Sequence, residues 1–228
     1  MLSSRILNAR PDTLDFRDRM YETTLVEVPQ RIPVERFRAA RVPVLDQGTE
    51  GACTGFALAT VAHYLLRTRR VVPDTIRVSP RMLYDMARRY DEWPGEQYDG
   101  SSARGAMKGW HKHGVCAESL WKSKGTRHGL THPRTEDATK RPLGAYLRVN
   151  HKDLLALHAA ITEVGVLYAT ANVHDGWDRP DRRTGRVKPD TGYAGHAFAV
   201  VAYDERGFWI QNSWGGRLGS PRTGAHHI

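Results

Sequence analysis

Cysteine is nearly absent from this chain: Cys53 and Cys116 are the two among 228 residues. Two thiols in unlike settings exclude a multi-bridge disulfide scaffold. They fit a reducing compartment, or an exported protein that does without crosslinks. Long apolar runs are missing too, which excludes a membrane-spanning helix and with it membrane insertion. The opening "MLSSRILNARPDTLDF" holds no apolar stretch between its charges, so no secretory signal is expected; the cytoplasm and a non-classical export route both remain open. There is no internal repeat, no low-complexity tract, no phosphate-cradling glycine loop and no paired Cys/His set. Neither a metal nor another cofactor is expected.

What is present is ordinary globular composition, 40% hydrophobic and 26% charged, with a mean hydropathy of −0.56. A chain of this length buries a sizeable core, as one large domain or two compact lobes. The formal net charge is +9 and the pI about 9.8, which raises nucleic acid as a partner. The positive charge is scattered, however, through "RTRR", "ARRY" and "KSKGTRHGLTHPRTEDATKRP". No strand interleaves aromatics with bases. A basic solvated surface is the better reading, and nucleic acid is not the expected partner.

Residues 1–43 read as an extended N-terminal arm punctuated by Pro11, Pro29, Pro33 and Pro43. From Cys53 to about Arg70 the apolar residues at 56, 57, 61, 64 and 65 keep one helical face. A second helix starts at "SPRMLYDMARRY", with Ser79 as N-cap and Pro80 in the first turn. A third is "SSARGAMKGWHKHG", capped by Ser101 or Ser102 and stopped by Gly114. A fourth runs from about Lys152 to Val164. The texture then changes: "GVLYATANV", "HAFAVVAYD" and "GFWIQNSW" read as strands, with a polar loop between the first two. Helices first and strands after predict an α+β fold of two lobes, mainly helical over residues 44–125 and mainly β over 143–228.

Cys53 follows "DQGTEGA" and opens a helix. A thiol used as nucleophile needs help to ionise, and a helix N-terminus favours negative charge. A nearby imidazole serves further by taking the proton. His196 begins the strand "HAFAVVAYD", and Asn212 ends the strand "GFWIQN". On neighbouring antiparallel strands the amide oxygen would accept from one ring nitrogen and leave the other for the sulfur. Trp214 would cover that bond. Gln47, across a turn that Gly48 and Gly51 let close, would offer an amide N–H to a developing oxyanion beside the Cys53 N–H.

These residues carry a resemblance. "PVLDQGTEGACTGFA" is similar to the glutamine-to-cysteine motif QGxCGSCW of the papain-like cysteine peptidases, and "GHAFAVVAYD…FWIQNSWGG" resembles their histidine strand and NSWG motif. "DFRD" resembles the family's mature start, and "HGVCAESLW" a segment of its bacterial members. Cys53 to His196 spans 143 residues, inside the roughly 130–150 typical of such enzymes. Asn212 falls slightly beyond. The resemblance implies a papain-like fold, a helical lobe and a β-rich lobe flanking an active-site cleft. It implies a polypeptide substrate, with Cys53 as nucleophile, His196 as base then acid, Asn212 as orienter and Gln47 as oxyanion donor. Gly195 and Trp214 are read with it as substrate-binding.

The pattern also departs from the family's. Thr54 replaces the tryptophan after the nucleophile, and Glu50 stands where many members have a disulfide cysteine. Little chain precedes "LDFRD", so the long inhibitory propeptide of lysosomal relatives is not expected. "GAHHI" is a poor strand, and His226 and His227 read as a loose tail. Cys116 reads as structural. His111 and His113 have a ligand-like spacing but face apart on a helix. Two other functions stay open: the same site used for acyl transfer or deamidation, and a papain-like scaffold that only binds.

Overall fold

The computed structural model describes residues 5–24, 27–93, 98–122, 129–181, 183–215 and 225–228. Its central element is helix α2, Cys53–Arg67. Only Leu65 and Arg67 keep partial exposure in it. The one-sided apolar face expected from the sequence is therefore incomplete as an account. Alanines 57, 59 and 62 are buried as tightly as Leu58 and Leu66, because α2 packs against α3 (Pro80–Arg89) and also against the sheet. A helix enclosed on several sides gains from small residues where neighbours approach closely.

Local signals set the ends of the other helices. The Ser79 hydroxyl accepts from the Met82 N–H at 3.0 Å and starts α3 with Pro80 in the first turn. Ser102, not Ser101, caps α4 (Ala103–His113) by accepting from the Gly105 N–H at 3.1 Å. Gly114, at φ +70°, ends α4 in a backbone region that side chains avoid. Helix α6 (Leu154–Val164) begins two residues later than expected, where the Asp153 carboxylate accepts from the Ala156 N–H at 3.0 Å.

The strands expected from the sequence are present as β1 (Leu167–Val173), β2 (Ala194–Asp204) and β3 (Gly207–Gln211). With β4 (Ala225–His227) they form an antiparallel sheet in the order β1-β2-β3-β4. Strand β2 is buried from His196 to Tyr203, since α1 (Val34–Ala39), α2 and α6 all contact it. The register places Ala171 opposite His196, and Ala199 opposite Gln211. The result is an α+β fold: helices led by α2, packed on one small sheet.

Three elements correct the sequence reading. The arm is not extended throughout, because Val34–Ala39 forms α1, entered from Pro33 and anchored by buried Val34 and Phe37. Phe37 stacks on Tyr64 of α2 at 5.4 Å. Within the polar stretch after Trp121, His132–Ala138 forms α5. The tail also pairs: Ala225–His227 forms β4 against β3, so His226 and His227 are not loose. Residues 216–224, where the motif comparison is weakest, lie outside the described residues. Among the described residues no helix is long and apolar enough to cross a membrane.

His63 is buried inside α2, and its Nε2 accepts the Val78 N–H at 2.9 Å. Burial, with the Arg67 and Arg77 charges adding, pushes its pKa down from 6.5 to about 3. The folded state therefore binds fewer protons here than the unfolded chain. The stabilisation is present above pH 6.5 and is lost as pH falls toward 3. Urea midpoints at pH 7 and 4.5 should show this loss. His63→Gln, which keeps an acceptor for Val78, should shrink the difference by about 2 kcal/mol; an unchanged difference would show that His63 does not titrate on unfolding.

Candidate active site

The turn before α2 is tied to the end of β3. Gln47 donates its backbone N–H to the Ser213 carbonyl at 2.9 Å, and Gly215 donates to the Leu45 carbonyl at 3.0 Å. The Gln47 side chain is buried. Its Oε1 accepts from the Ser213 hydroxyl at 2.7 Å, and its Nε2 donates to the Glu50 carbonyl at 3.0 Å. Gly48, at φ +63°, lets the turn close. Glu50, at the family's crosslink position, instead pairs with Arg81 of α3 at 2.7 Å.

His196, on β2, lies at hydrogen-bond distance from the residue that follows β3. Its Nε2 is 2.8 Å from Asn212 Oδ1. That oxygen also accepts from the Ser213 N–H at 2.8 Å, which orients the amide with its acceptor toward the ring. Nε2 therefore carries the hydrogen. Nδ1 is the lone-pair nitrogen, buried and without a partner among the described residues. The Trp214 ring lies 4.8 Å from the His196 ring, and the Arg5 guanidinium sits over Trp214 at 5.2 Å.

Cys53 has no exposure and packs in a small cluster with Ala9, Ala57 and Ala197. Ala197 is the residue after His196, so α2 and β2 meet where the thiol and the imidazole begin their elements. Burial pushes the thiol up from 9.0 to about 11, although the backbone N–H groups of Ala197, Thr54 and Ala9 pull the other way. Burial likewise pushes His196 down from 6.5 to about 4. The Asn212 bond opposes that shift and the Arg5 charge adds to it. Sulfur and ring are both neutral in this state, contrary to the anion expected at a helix start. The dipole at α2 is outweighed by desolvation.

The cover is the chain's own arm. Ala9 donates to the Gly195 carbonyl at 3.0 Å, and Arg10 donates to the Ser101 carbonyl at 3.1 Å. A side chain at Gly195 would collide with the Ala9 carbonyl, and one at Gly100 with that of Asn8. Both positions need glycine for this approach. Further along, Asp12 accepts from the Arg104 N–H at 2.8 Å and pairs with Arg148 at 2.6 Å. Asp18 pairs with Arg104 and Arg148, each at 2.6 Å.

The structure thus gathers Cys53, His196, Asn212, Gln47, Gly195 and Trp214 at one junction. Ser213, which holds Gln47, and Ala9, which covers the thiol, were not anticipated. Ser213 stands inside "QNSWGG" and could have been read from that motif, whereas nothing local marks Ala9. Thr54, the departure beside Cys53, bonds Ser101 Oγ at 2.6 Å and accepts the Tyr168 hydroxyl on its carbonyl at 3.1 Å. Cys116 lies elsewhere, buried with Met82 and Trp121, and both cysteines are free. His111 meets the Leu143 and Gly144 carbonyls, while His113 bonds the Tyr90 hydroxyl.

A covered thiol should react slowly. Iodoacetamide at pH 7.5 should label Cys53 at least roughly a hundredfold more slowly in the native chain than in the urea-unfolded chain. Asp18→Ala, which removes two ion pairs from the arm, should speed labelling of Cys53 and leave that of Cys116 unchanged, as read by peptide mass mapping. Equal native and unfolded rates would mean that the arm does not cover the sulfur in solution.

Solved structures match nearly the whole chain. Xylellain, a cysteine protease from Xylella fastidiosa, is 25% identical and superposes with a TM-score of 0.82, covering 98% of this chain and 89% of that one. Digestive procathepsin L 3 from Tenebrio molitor larval midgut is 18% identical with a TM-score of 0.71, covering 99% and 70%. The bromelain protease from Ananas comosus, in complex with the E64 inhibitor, is 18% identical with a TM-score of 0.64, covering 88% and 89%. No family model and no curated protein matches the sequence. The bond between His196 and Asn212, the small-residue contact of α2 with β2, and the shared architecture lead to one assignment: the chain has the papain-like fold and, like xylellain, is a cysteine-type peptidase.

Proposed function

We propose that the chain hydrolyses peptide bonds through a thioester formed on Cys53. The reaction begins when residues 7–10 withdraw and water or substrate reaches the sulfur. Release from burial lowers the thiol's pKa and raises the ring's, so the proton passes from sulfur to His196 Nδ1. The thiolate attacks the substrate carbonyl carbon. The oxyanion is met by the Cys53 N–H and by the Gln47 amide hydrogen not given to Glu50. His196 Nδ1–H protonates the departing amine as the carbon–nitrogen bond breaks, leaving the acyl group on sulfur. The same nitrogen then takes a proton from water, which attacks the thioester and frees the acid and the thiol.

Asn212 keeps Nε2–H engaged throughout, so Nδ1 is the nitrogen that exchanges protons. Trp214 shields that bond from water. The Gly195 carbonyl, which accepts the Ala9 N–H here, would accept a substrate N–H once the arm has left. The observation that carries this reading is the 2.8 Å bond from His196 Nε2 to Asn212 Oδ1, with Nδ1 unpartnered among the described residues and the thiol packed against Ala197.

Cleavage of an unfolded protein by the full chain, followed by mass spectrometry, tests the reading. Cys53→Ala should abolish cleavage. His196→Ala should lower kcat/KM by about a thousandfold or more, and Asn212→Ala and Gln47→Ala by about ten- to a hundredfold each. The epoxide E64, which the bromelain structure holds, should attach to Cys53. Undiminished cleavage by the Cys53→Ala chain would refute the mechanism.

A further inference from the structure

Arg10 follows the residue that covers the sulfur, and its side chain lies against two aromatic rings. Its guanidinium lies over the Tyr98 ring at 4.5 Å and over the Trp93 ring at 5.4 Å. The Tyr98 hydroxyl bonds the Asp91 carboxylate, whose other oxygen accepts the Ser102 N–H at 2.8 Å. That second bond fixes the carboxylate at the cap of α4. The Trp93 indole N–H reaches the Pro11 carbonyl at 3.4 Å. Two aromatic faces backed by a carboxylate are chemistry for a cation. A planar guanidinium, which stacks on rings, suits them better than an ammonium.

The arm's other contacts around the sulfur select only for size, because the Ala9 methyl fits among Cys53, Ala57 and Ala197. Ala9 and Arg10 use only their main-chain N–H groups on the carbonyls of Gly195 and Ser101, which any extended peptide could repeat. The contact that reads charge is the one to Arg10. Trp93, Tyr98 and Asp91 lie ahead of α4, outside the arm, and Asp91 is bonded there to the Tyr98 hydroxyl and the Ser102 N–H. A peptide reaching Cys53 through the space now filled by residues 8–10 would pass the same rings.

We propose that Trp93 and Tyr98 form an arginine-selecting subsite for peptide substrates, filled in this state by the chain's own Arg10. The inference rests on the peptidase reading above and names the substrate class for it: peptides carrying arginine close to the scissile bond. The arm then competes with substrate through the same cation contact.

The test uses the full chain with Arg10→Ala, which keeps the arm but empties the pocket. Matched peptides carry Arg, Lys or Leu at each position in turn around one scissile bond. At one position kcat/KM should favour Arg over Leu by about tenfold, with Lys between them. Trp93→Ala or Tyr98→Leu, each added to Arg10→Ala, should bring that ratio to within about twofold. Tyr98→Phe, which keeps the ring face, should retain most of it. On non-arginine peptides the Arg10→Ala chain should outpace the unsubstituted one, because its arm is held less tightly.

Cleavage with no preference for Arg at any position would overturn the subsite while leaving the peptidase reading intact. An Arg preference that survives both Trp93→Ala and Tyr98→Leu would do the same, and the rings would then serve only to anchor the arm. Absence of cleavage of every peptide and of unfolded protein would overturn the peptidase reading and the subsite together.

Discussion

The meeting of α2 with the start of β2 through very small side chains governs the rest of the site. Cys53 and Ala57 on the helix face Ala197 on the strand, and Ala9 closes the cluster. Bulkier residues there would push the helix N-terminus away from His196 and separate sulfur from ring. Two further ties hold the junction. Tyr168 of β1 donates to the Thr54 carbonyl in the first turn of α2. On the other side Ser213 holds Gln47, and the neighbouring Asn212 holds His196. One short segment after β3 therefore orients both the imidazole and the glutamine.

That tight packing has an electrostatic consequence. With the thiol pushed up to about 11 and the imidazole down to about 4, burial under the arm disfavours moving a proton from sulfur to nitrogen. The arm is thus more than a steric cover, because it keeps water from the two groups whose ionisation the proposed chemistry needs. The ion pairs of Asp18 with Arg104 and Arg148, and of Asp12 with Arg148, are partly buried and tie the arm to α4 and to the chain ahead of α6. The main-chain bonds of Ala9 and Arg10 can be replaced one for one by those of a peptide.

The readable parts of the sequence were those where a residue acts on its near neighbours. Ser79 with Pro80, Ser102, and Gly114 announced the ends of α3 and α4 because capping is a matter of three or four residues. The pair His196 and Asn212 was readable from motif order, since each sits at the end of an apolar strand. Short elements gave no such sign. Helices α1 and α5 are too brief for a periodic pattern, and α1 exists because Phe37 stacks on Tyr64. Strand β4 carries no β-forming sequence; it pairs because the exposed edge of β3 accepts it, as the reciprocal bonds of Phe208 and Ile228 at its end show.

By itself the sequence determined that a thiol would open a helix, that a histidine and an asparagine would stand on adjacent strands, and that a glutamine would precede the thiol across a turn. These are consequences of residue type and local spacing. Tertiary structure alone decided that Ala9 would lie on the sulfur, that Arg10 would stack between Trp93 and Tyr98, and that both reactive groups would be held neutral. The physical reason is the kind of bond involved. The arm is held beside Cys53 by main-chain hydrogen bonds to carbonyls some ninety to nearly two hundred positions away, and main-chain pairing leaves no imprint on which side chains a segment carries.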